Sequence, residues 1–228
     1  MRLLTKLLAA AVVFVALAGA GLWYFVLRSD AAPRARIDQT TTVPGRALAG
    51  IFVLARGDAR SFVGYRVQEQ FAGTPIESTA TGRTHDVAAK LTIDGTTVAT
   101  ITADADLTTL HSDRAARDHA ITTSGLESNK FPQARFVLTE PIRFGRPPKL
   151  GQAITTTATG DFTLHGITRQ VHVPLQGRWD GKTIQVVGHL PIAFADYHLD
   201  APSIAGFVSV KDHGEMEFQL FLKPAGTN

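Results

Sequence analysis

Residues 158–173 read Ala158-Thr-Gly160-Asp161-Phe162-Thr163-Leu164-His165-Gly166-Ile167-Thr168-Arg169-Gln170-Val171-His172-Val173, and the dipeptide in the middle decides the fold. If His165-Gly166 is a two-residue loop, Leu164 must face Ile167, Phe162 must face Arg169, Gly160 must face Val171 and Ala158 must face Val173. Register and pattern agree, so the stretch is a hairpin of two strands, each with one dry and one wet face.

The same period of two runs outward in both directions. Val63, Tyr65 and Val67 alternate with Gly64, Arg66 and Gln68, and Val87, Ala89, Leu91 and Ile93 alternate with Ala88, Lys90, Thr92 and Asp94. It recurs in Ile101, Ala103, Ala105 and Leu107, in Phe136 and Leu138, in Leu175, in Ile184, Val186, Leu190, Ile192 and Phe194, and in Met216, Phe218, Leu220 and Leu222. Asp94-Gly95 and Asp180-Gly181 supply further hairpin turns. The count is about eight strands. Only Ser112 to about Ser124 reads as helical, with Ser112 as its expected cap. One short helix cannot cover a large sheet, and closing the sheet on itself removes its edges. The expected architecture is therefore all-β, an antiparallel eight-stranded barrel with room for its own side chains or one small ligand.

Leu7 to Leu27 carries no charged or strongly polar side chain over 21 residues. As a helix it would reach roughly 31 Å, enough for a hydrocarbon core of about 30 Å. Trp23, Tyr24 and Phe25 suit an interfacial aromatic belt, and Arg28 ends the run. The competing reading is a cleaved signal peptide with Ala18-Gly19-Ala20 as its site, but the apolar run continues past Ala20 and exceeds the roughly 7–15 residues of a signal core. The expectation is a single N-terminal transmembrane signal-anchor over residues 1–28, a linker over 29–60 and a barrel over 61–224 lying outside the cytoplasm, in the periplasm or at the cell surface.

Composition narrows the function classes. The chain has 228 residues, 44% apolar and 19% charged, so it can bury a core and is not disordered. It has no Cys, which removes disulfides, thiolate metal sites and a Cys nucleophile. Lys and Arg number 23 against 20 Asp and Glu, and Arg2 and Lys6 precede the apolar run, so the body is close to neutral and no nucleic-acid partner is expected. The eight His residues show no pair at i, i+4, and no metal or cofactor is expected. Asp104 and Asp106 share one strand face, but it is the wet one and no second carboxylate pair accompanies them. Phosphate loops, dinucleotide fingerprints and nucleophile elbows are absent, and no catalytic residue is assigned.

Three stretches carry a family resemblance. Gly125-Leu-Glu-Ser-Asn-Lys-Phe131-Pro132-Gln-Ala-Arg-Phe136 resembles the segment before an F-P-x-a-x-F strand in YceI-like proteins, and Gly160 to Arg169 is similar to their G-D-L-T-L-H-G-V-T-R hairpin. Asp196-Tyr197, Asp212-His213-Gly214 and the Glu217-Phe218-Gln219-Leu220 strand resemble their C-terminal end. The resemblance spans roughly Ser61 to Lys223. It implies a lipocalin-like barrel outside the cytoplasm whose apolar cavity holds a polyisoprenoid, either a polyprenyl phosphate or an isoprenoid quinone.

The interior face offered to such a ligand is Val63, Tyr65, Val67, Phe136, Leu138, Phe162, Leu164, Ile167, Val171, Ile192, Phe194, Met216, Phe218 and Leu220, with Arg169 as its one charged member. Arg169 can either fork onto a phosphate or quinone oxygen or lay its stem along the wall with its head in solvent. Two other functions stay open. One is a packed-solid barrel serving as an interaction module of the cell envelope, and the other is an enzyme acting on the lipid, for which no titratable cluster can be assembled.

Overall fold

The computed structural model describes residues 2–22, 31–39, 41–43, 47–54, 58–72, 77–204 and 208–226. Helix α1 (Arg2–Leu22) precedes strands β1 (Gly50–Leu54), β2 (Phe62–Phe71), β3 (Glu77–Thr84), β4 (Val87–Asp94), β5 (Thr97–Asp106) and β6 (His111–Ser112). After helix α2 (Ala115–Ala120) come β7 (Gln133–Leu138), β8 (Ile142–Arg143), β9 (Ala153–Leu164), β10 (Ile167–Trp179), β11 (Ile184–Ala193), β12 (Ser203–Ile204) and β13 (Val208–Pro224).

Eight strands close into an antiparallel ring in the order β1-β4-β5-β7-β9-β10-β11-β13, and Phe52↔Pro224 and Val53↔Lys223 seal β13 to β1. The decisive hairpin has the register required of it, Leu164↔Ile167, Phe162↔Arg169, Gly160↔Val171 and Ala158↔Val173. His165 and Gly166 both take positive φ, 52° and 75°, as a tight turn between twisted strands requires. Gly95 and Gly181 do the same at the other two hairpins.

The ring is not composed as the alternation predicts. β1 lies inside the stretch expected to be a linker, and Phe52 and Leu54 are core residues there. Five residues with one alternating pair are too short to stand out from the Ala, Thr and Pro around them. The Val63–Val67 strand, β2, runs beside β1 along the same edge of β13 and leads on to β3 and β6 as an extension of the wall. At one end of the barrel Trp179 meets Phe52 edge to face, 5.5 Å between centroids.

The rest of that stretch is a strap on the outside of the barrel. Ala32 N donates to Thr81 Oγ1 at 2.9 Å, Asp38 N donates to Gln185 Oε1 at 2.8 Å, and Val43 N donates to the Asp180 carbonyl at 2.8 Å. Beneath it Glu217, on the outer face of β13 yet only 2% exposed, accepts from Arg83 at 2.8 Å and pairs with Arg66 at 3.5 Å.

The expected helix is shorter than its pattern. α2 begins at Ala115, and Ser112 is not its cap but a β6 residue whose Oγ donates to Asp118 Oδ1 at 2.6 Å. After Ala120 the chain widens into a π-helical turn, Ile121–Gly125, where Thr122, Thr123 and Ser124 return their hydroxyls to the carbonyls of Asp118, His119 and Ala120.

In α1 the side chains of Val12, Val13, Phe14, Val15 and Leu17 are exposed. Among the described residues no helix is long and apolar enough to cross a membrane. Trp23, Tyr24, Phe25 and Arg28, on which part of the membrane expectation rests, lie outside the described residues.

Candidate functional site

The barrel axis is a chain of four cavities that share walls. The central one has free space of about 770 Å³, its mouth included, between Val63, Ala89, Leu91, Ile101, Ala103, Ala105, Ala134, Phe136, Ala158, Phe162, Met216, Phe218 and Leu220. Val63, Phe162 and Met216 also bound a second cavity with Leu164, Ile192 and Phe194. Tyr65, Val67, Phe194 and Leu199 then carry the space on to a terminal cavity beneath α2. In the opposite direction Leu91, Ile101, Leu175 and Val186 join the centre to a cavity walled by Phe144, Pro148 and Trp179.

Two features keep this space open. Five alanines face the centre, and each withholds the volume that a larger side chain at the same inward position would fill. The aromatic rings beside them lie along the wall instead of across it, because glycines stand beneath them. A Cβ at Gly188 would come 2.5 Å from Phe218 Cζ, and one at Gly160 would come 2.5 Å from Phe136 Cζ. A Cβ at Gly82 would collide with the Tyr65 ring in the same way. Gly188 is the direct cross-strand partner of Phe218, and Gly82 of Tyr65.

Polar groups are few along the axis: Asp104 and Arg135, paired with each other, border the central cavity, and the remaining charged groups stand at the ends and the outside. Under α2, Arg117 forks onto Glu69, Nε to Oε1 at 2.7 Å and Nη2 to Oε2 at 2.8 Å, and gives Nη1 to Asp113. Both partners are buried, Glu69 to 3% and Arg117 to 6% exposure, and both bound the terminal cavity. Burial alone would lower the Arg117 guanidinium, but the hydrogen bonds and charge of Glu69, with the charge of Asp113, outweigh it and hold it above its ordinary value. Tyr65 lines the same cavity and the next, with its buried hydroxyl directed over Gly82 and toward Ser112. Burial pushes its acidity down, so the phenol stays protonated and is a donor.

Most of the expected interior residues are brought together along this axis: Val63, Tyr65, Val67, Phe136, Phe162, Leu164, Ile192, Phe194, Met216, Phe218 and Leu220. Leu138, Ile167 and Val171 pack against the core without bounding any of the four cavities. Arg169 takes the second of its two expected courses, with its head in solvent. It holds the inward register position but stands at the rim, where Nε donates to the Asp196 carbonyl at 2.6 Å and Nη2 lies 3.5 Å from Asp196 Oδ1. Its side chain is 47% exposed, so the head has left the cavity for solvent, as a long cation does when carboxylate and water are within reach.

The other acidic and imidazole groups singled out in the sequence serve the scaffold. Asp104 accepts from Arg135 at 2.8 Å, and Asp106 accepts from Thr108 N at 2.9 Å at the start of a 3-10 turn. His165 fastens the hairpin tip, with Nε2 2.8 Å from Glu127 Oε2 and Nδ1 3.0 Å from the Tyr197 carbonyl oxygen. The lining alanines and the Glu69–Arg117 pair were missed. Ala89, Ala103, Ala105 and Ala158 show in the alternation but not as a lumen, and nothing in the sequence brings residue 69 to residue 117.

Comparison with known proteins agrees with this architecture. Residues 57–222 match the family model described as YceI-like domain. A UPF0312 protein of Vibrio campbellii is 27% identical over 117 residues, 48% of this chain, and the match spans 58% of that relative's length. The solved polyisoprenoid binding domain from Saccharophagus degradans superposes with a TM-score of 0.59 at 17% identity, covering 77% of this chain and 99% of that one. Burkholderia cenocepacia BcnA superposes with a TM-score of 0.55 at 21% identity, covering 72% and 96%.

Proposed function

The chain belongs to the YceI-like domain family, and from that premise we propose that its barrel binds a polyisoprenoid lipid along the axial cavity. The observation that carries this reading is the run of four adjoining cavities with shared walls and an apolar lining, a space suited to a long methyl-branched chain of isoprene units. Such a chain has no polar group to satisfy, and at about 25 cal/mol per Å² its burial outweighs hydration. A barrel packed solid would fill the axis, whereas here five alanines and the glycine-supported rings leave it empty.

The role is holding or carrying the lipid, not transforming it. Arg117, Glu69 and Arg135 at the cavity wall are engaged in ion pairs. We infer further that the domain lies outside the cytoplasm, tethered by the N-terminal segment. Supporting this are the uncharged run Leu7–Leu27 and the exposed apolar side chains of α1, which nothing in the barrel covers. A tether would keep the cavity within reach of the bilayer in which such lipids dissolve.

Mass spectrometry of an organic extract of the purified protein tests the binding. An isoprenoid at near-stoichiometric yield is expected, and an empty extract from protein that also fails to take up added isoprenoid would overturn the reading. For the tether, an intact N-terminus on membrane-derived protein is expected, and a mature chain beginning near Gly21 would exclude it.

A further inference from the structure

The two ends of the barrel use their charges differently. At the α2 end the cations have carboxylates: Arg117 has Glu69 and Asp113, Arg114 has Asp113 at 3.8 Å, Lys130 has Glu127 at 3.9 Å, and Arg169 has Asp196. At the opposite end, the segment 143–152 that leads from β8 into β9 exposes Arg143, Arg146 and Lys149, and the β10–β11 turn exposes Lys182. None of these four side chains forms an ion pair among the described residues. Of the carboxylates nearby, Asp58 is held by Arg60 at 3.0 Å, Asp180 Oδ1 accepts from the backbone N of Lys182 and Thr183, and Asp94 stands at the β4–β5 turn.

Two apolar side chains stand out among these cations. Leu150 is 45% exposed, and Val43 in the strap is 37% exposed. Their segments are neighbours, because Gly151 N donates to the Trp179 carbonyl and Val43 N to the Asp180 carbonyl, each at 2.8 Å, and a Cβ at Gly151 would come 2.5 Å from Thr42 Cγ2. Phe144 and Pro148 of the same segment turn inward and wall the cavity at this end with Trp179.

We infer that this end of the barrel docks on an anionic lipid bilayer, with Arg143, Arg146, Lys149 and Lys182 on the phosphate headgroups and Leu150, beside Val43, entering the interface. An unpaired cation breaks no ion pair to reach a headgroup, and an apolar side chain ringed by such cations suits the boundary between headgroups and acyl chains. The α2 end, its cations already matched, offers no comparable attraction. The eight residues between Leu22 and Ala31 span at most about 30 Å, so an N-terminal tether does not choose which end turns to the bilayer. Charge does. The inference goes beyond lipid binding inside the barrel and stands whatever fills the axis.

The chain has no Cys, so Leu150→Cys and, at the α2 end, Asn129→Cys each supply a single labelling site. The full chain carrying a nitrobenzoxadiazole dye at one site or the other is mixed with vesicles of phosphatidylcholine alone or with added phosphatidylglycerol. The dye at 150 is expected to brighten and shift to the blue where phosphatidylglycerol is present, and the dye at 129 to stay as in water. The ratio of docked to undocked protein should fall roughly fivefold for each cation removed in Arg143→Gln, Arg146→Gln and Lys149→Gln. It should also fall as salt rises from about 0.1 M to about 1 M, which shortens the screening length from about 10 Å to about 3 Å.

A dye at 150 that reports water with both kinds of vesicle, or a larger change at 129 than at 150, would overturn the inference. An equal change at 150 with and without phosphatidylglycerol would overturn the part given to the cations. The altered side chains are all exposed, and should a glutamine variant still fail to fold, the comparison of the two lipid mixtures decides alone. No outcome bears on an isoprenoid in the axis, which organic extraction tests separately.

Discussion

Phe218 lays its ring over Gly188, its direct partner across β13 and β11, and a Cβ at position 188 would stand 2.5 Å from Phe218 Cζ and 2.8 Å from the Pro174 carbonyl oxygen. The absent side chain is what lets an aromatic residue serve as wall and not as plug. Gly188→Ala is expected to force the ring off the wall and to cost about 1–3 kcal/mol, as overpacking does. Isoprenoid binding should fall with it. Gly177→Ala is the matched control, because a Cβ there meets nothing within 4 Å. Equal urea midpoints for the two variants would show that the close approach is relaxed at no cost.

Ala103 faces the central cavity between Ala89 on β4 and Phe136 on β7. Ala103→Phe should place a ring in the empty axis without displacing a buried side chain. The expected outcome is a native circular-dichroism spectrum, stability equal to or above that of the natural chain, and loss of isoprenoid binding. Retained binding at full affinity would mean that the lipid lies outside the barrel.

Arg169 is the residue whose position in the sequence most invites a role in binding, and its contacts argue against one. Its guanidinium is held at the rim by Asp196, half in solvent. Arg169→Ala should leave ligand affinity unchanged and lower stability by no more than ~1 kcal/mol, the range of exposed ion pairs. A tenfold loss of affinity in calorimetry would return Arg169 to the site.

Arg34 in the strap donates Nη1 to Glu215 Oε2 on β13 at 2.6 Å, joining segments 181 residues apart. The Arg34 hydrogen bond, then its charge, hold the Glu215 carboxyl below its ordinary value of 4.5 against the opposing effect of partial burial. With the folded value depressed, the pair contributes fully above the unfolded value and is lost as pH falls through the folded one. Both groups are part exposed, so the effect on global stability is small and the sensitive readout is local. Hydrogen exchange of residues 31–39, corrected for intrinsic rates, should quicken as the pH drops below about 4.5 in the natural chain. Glu215→Gln should be faster throughout and lack that step. Identical pH profiles would disconnect the strap from this pair.

The barrel was legible in local pattern. Period-two alternation records which face of each strand is dry, and the His165-Gly166 turn sets a register in which one slip would turn every side chain around. Those are local facts, written in consecutive residues. The interior list follows from them, which is why Phe162, Leu164 and Phe218 were legible as wall. Whether the wall encloses anything is a matter of packing between strands distant in the chain. β1 was invisible because its five residues gain their stability from β4 and β13, not from their own pattern. The openness of the axis depends on which glycine falls opposite which ring, Gly188 under Phe218 and Gly82 under Tyr65, and on alanines meeting at one level from separate strands. The charge at the cavity end depends on Glu69 meeting Arg117 across 48 residues. Alternation fixes direction, in or out, but depth along the axis and the identity of the neighbour are set by strand pairing and closure, which no single stretch of chain contains.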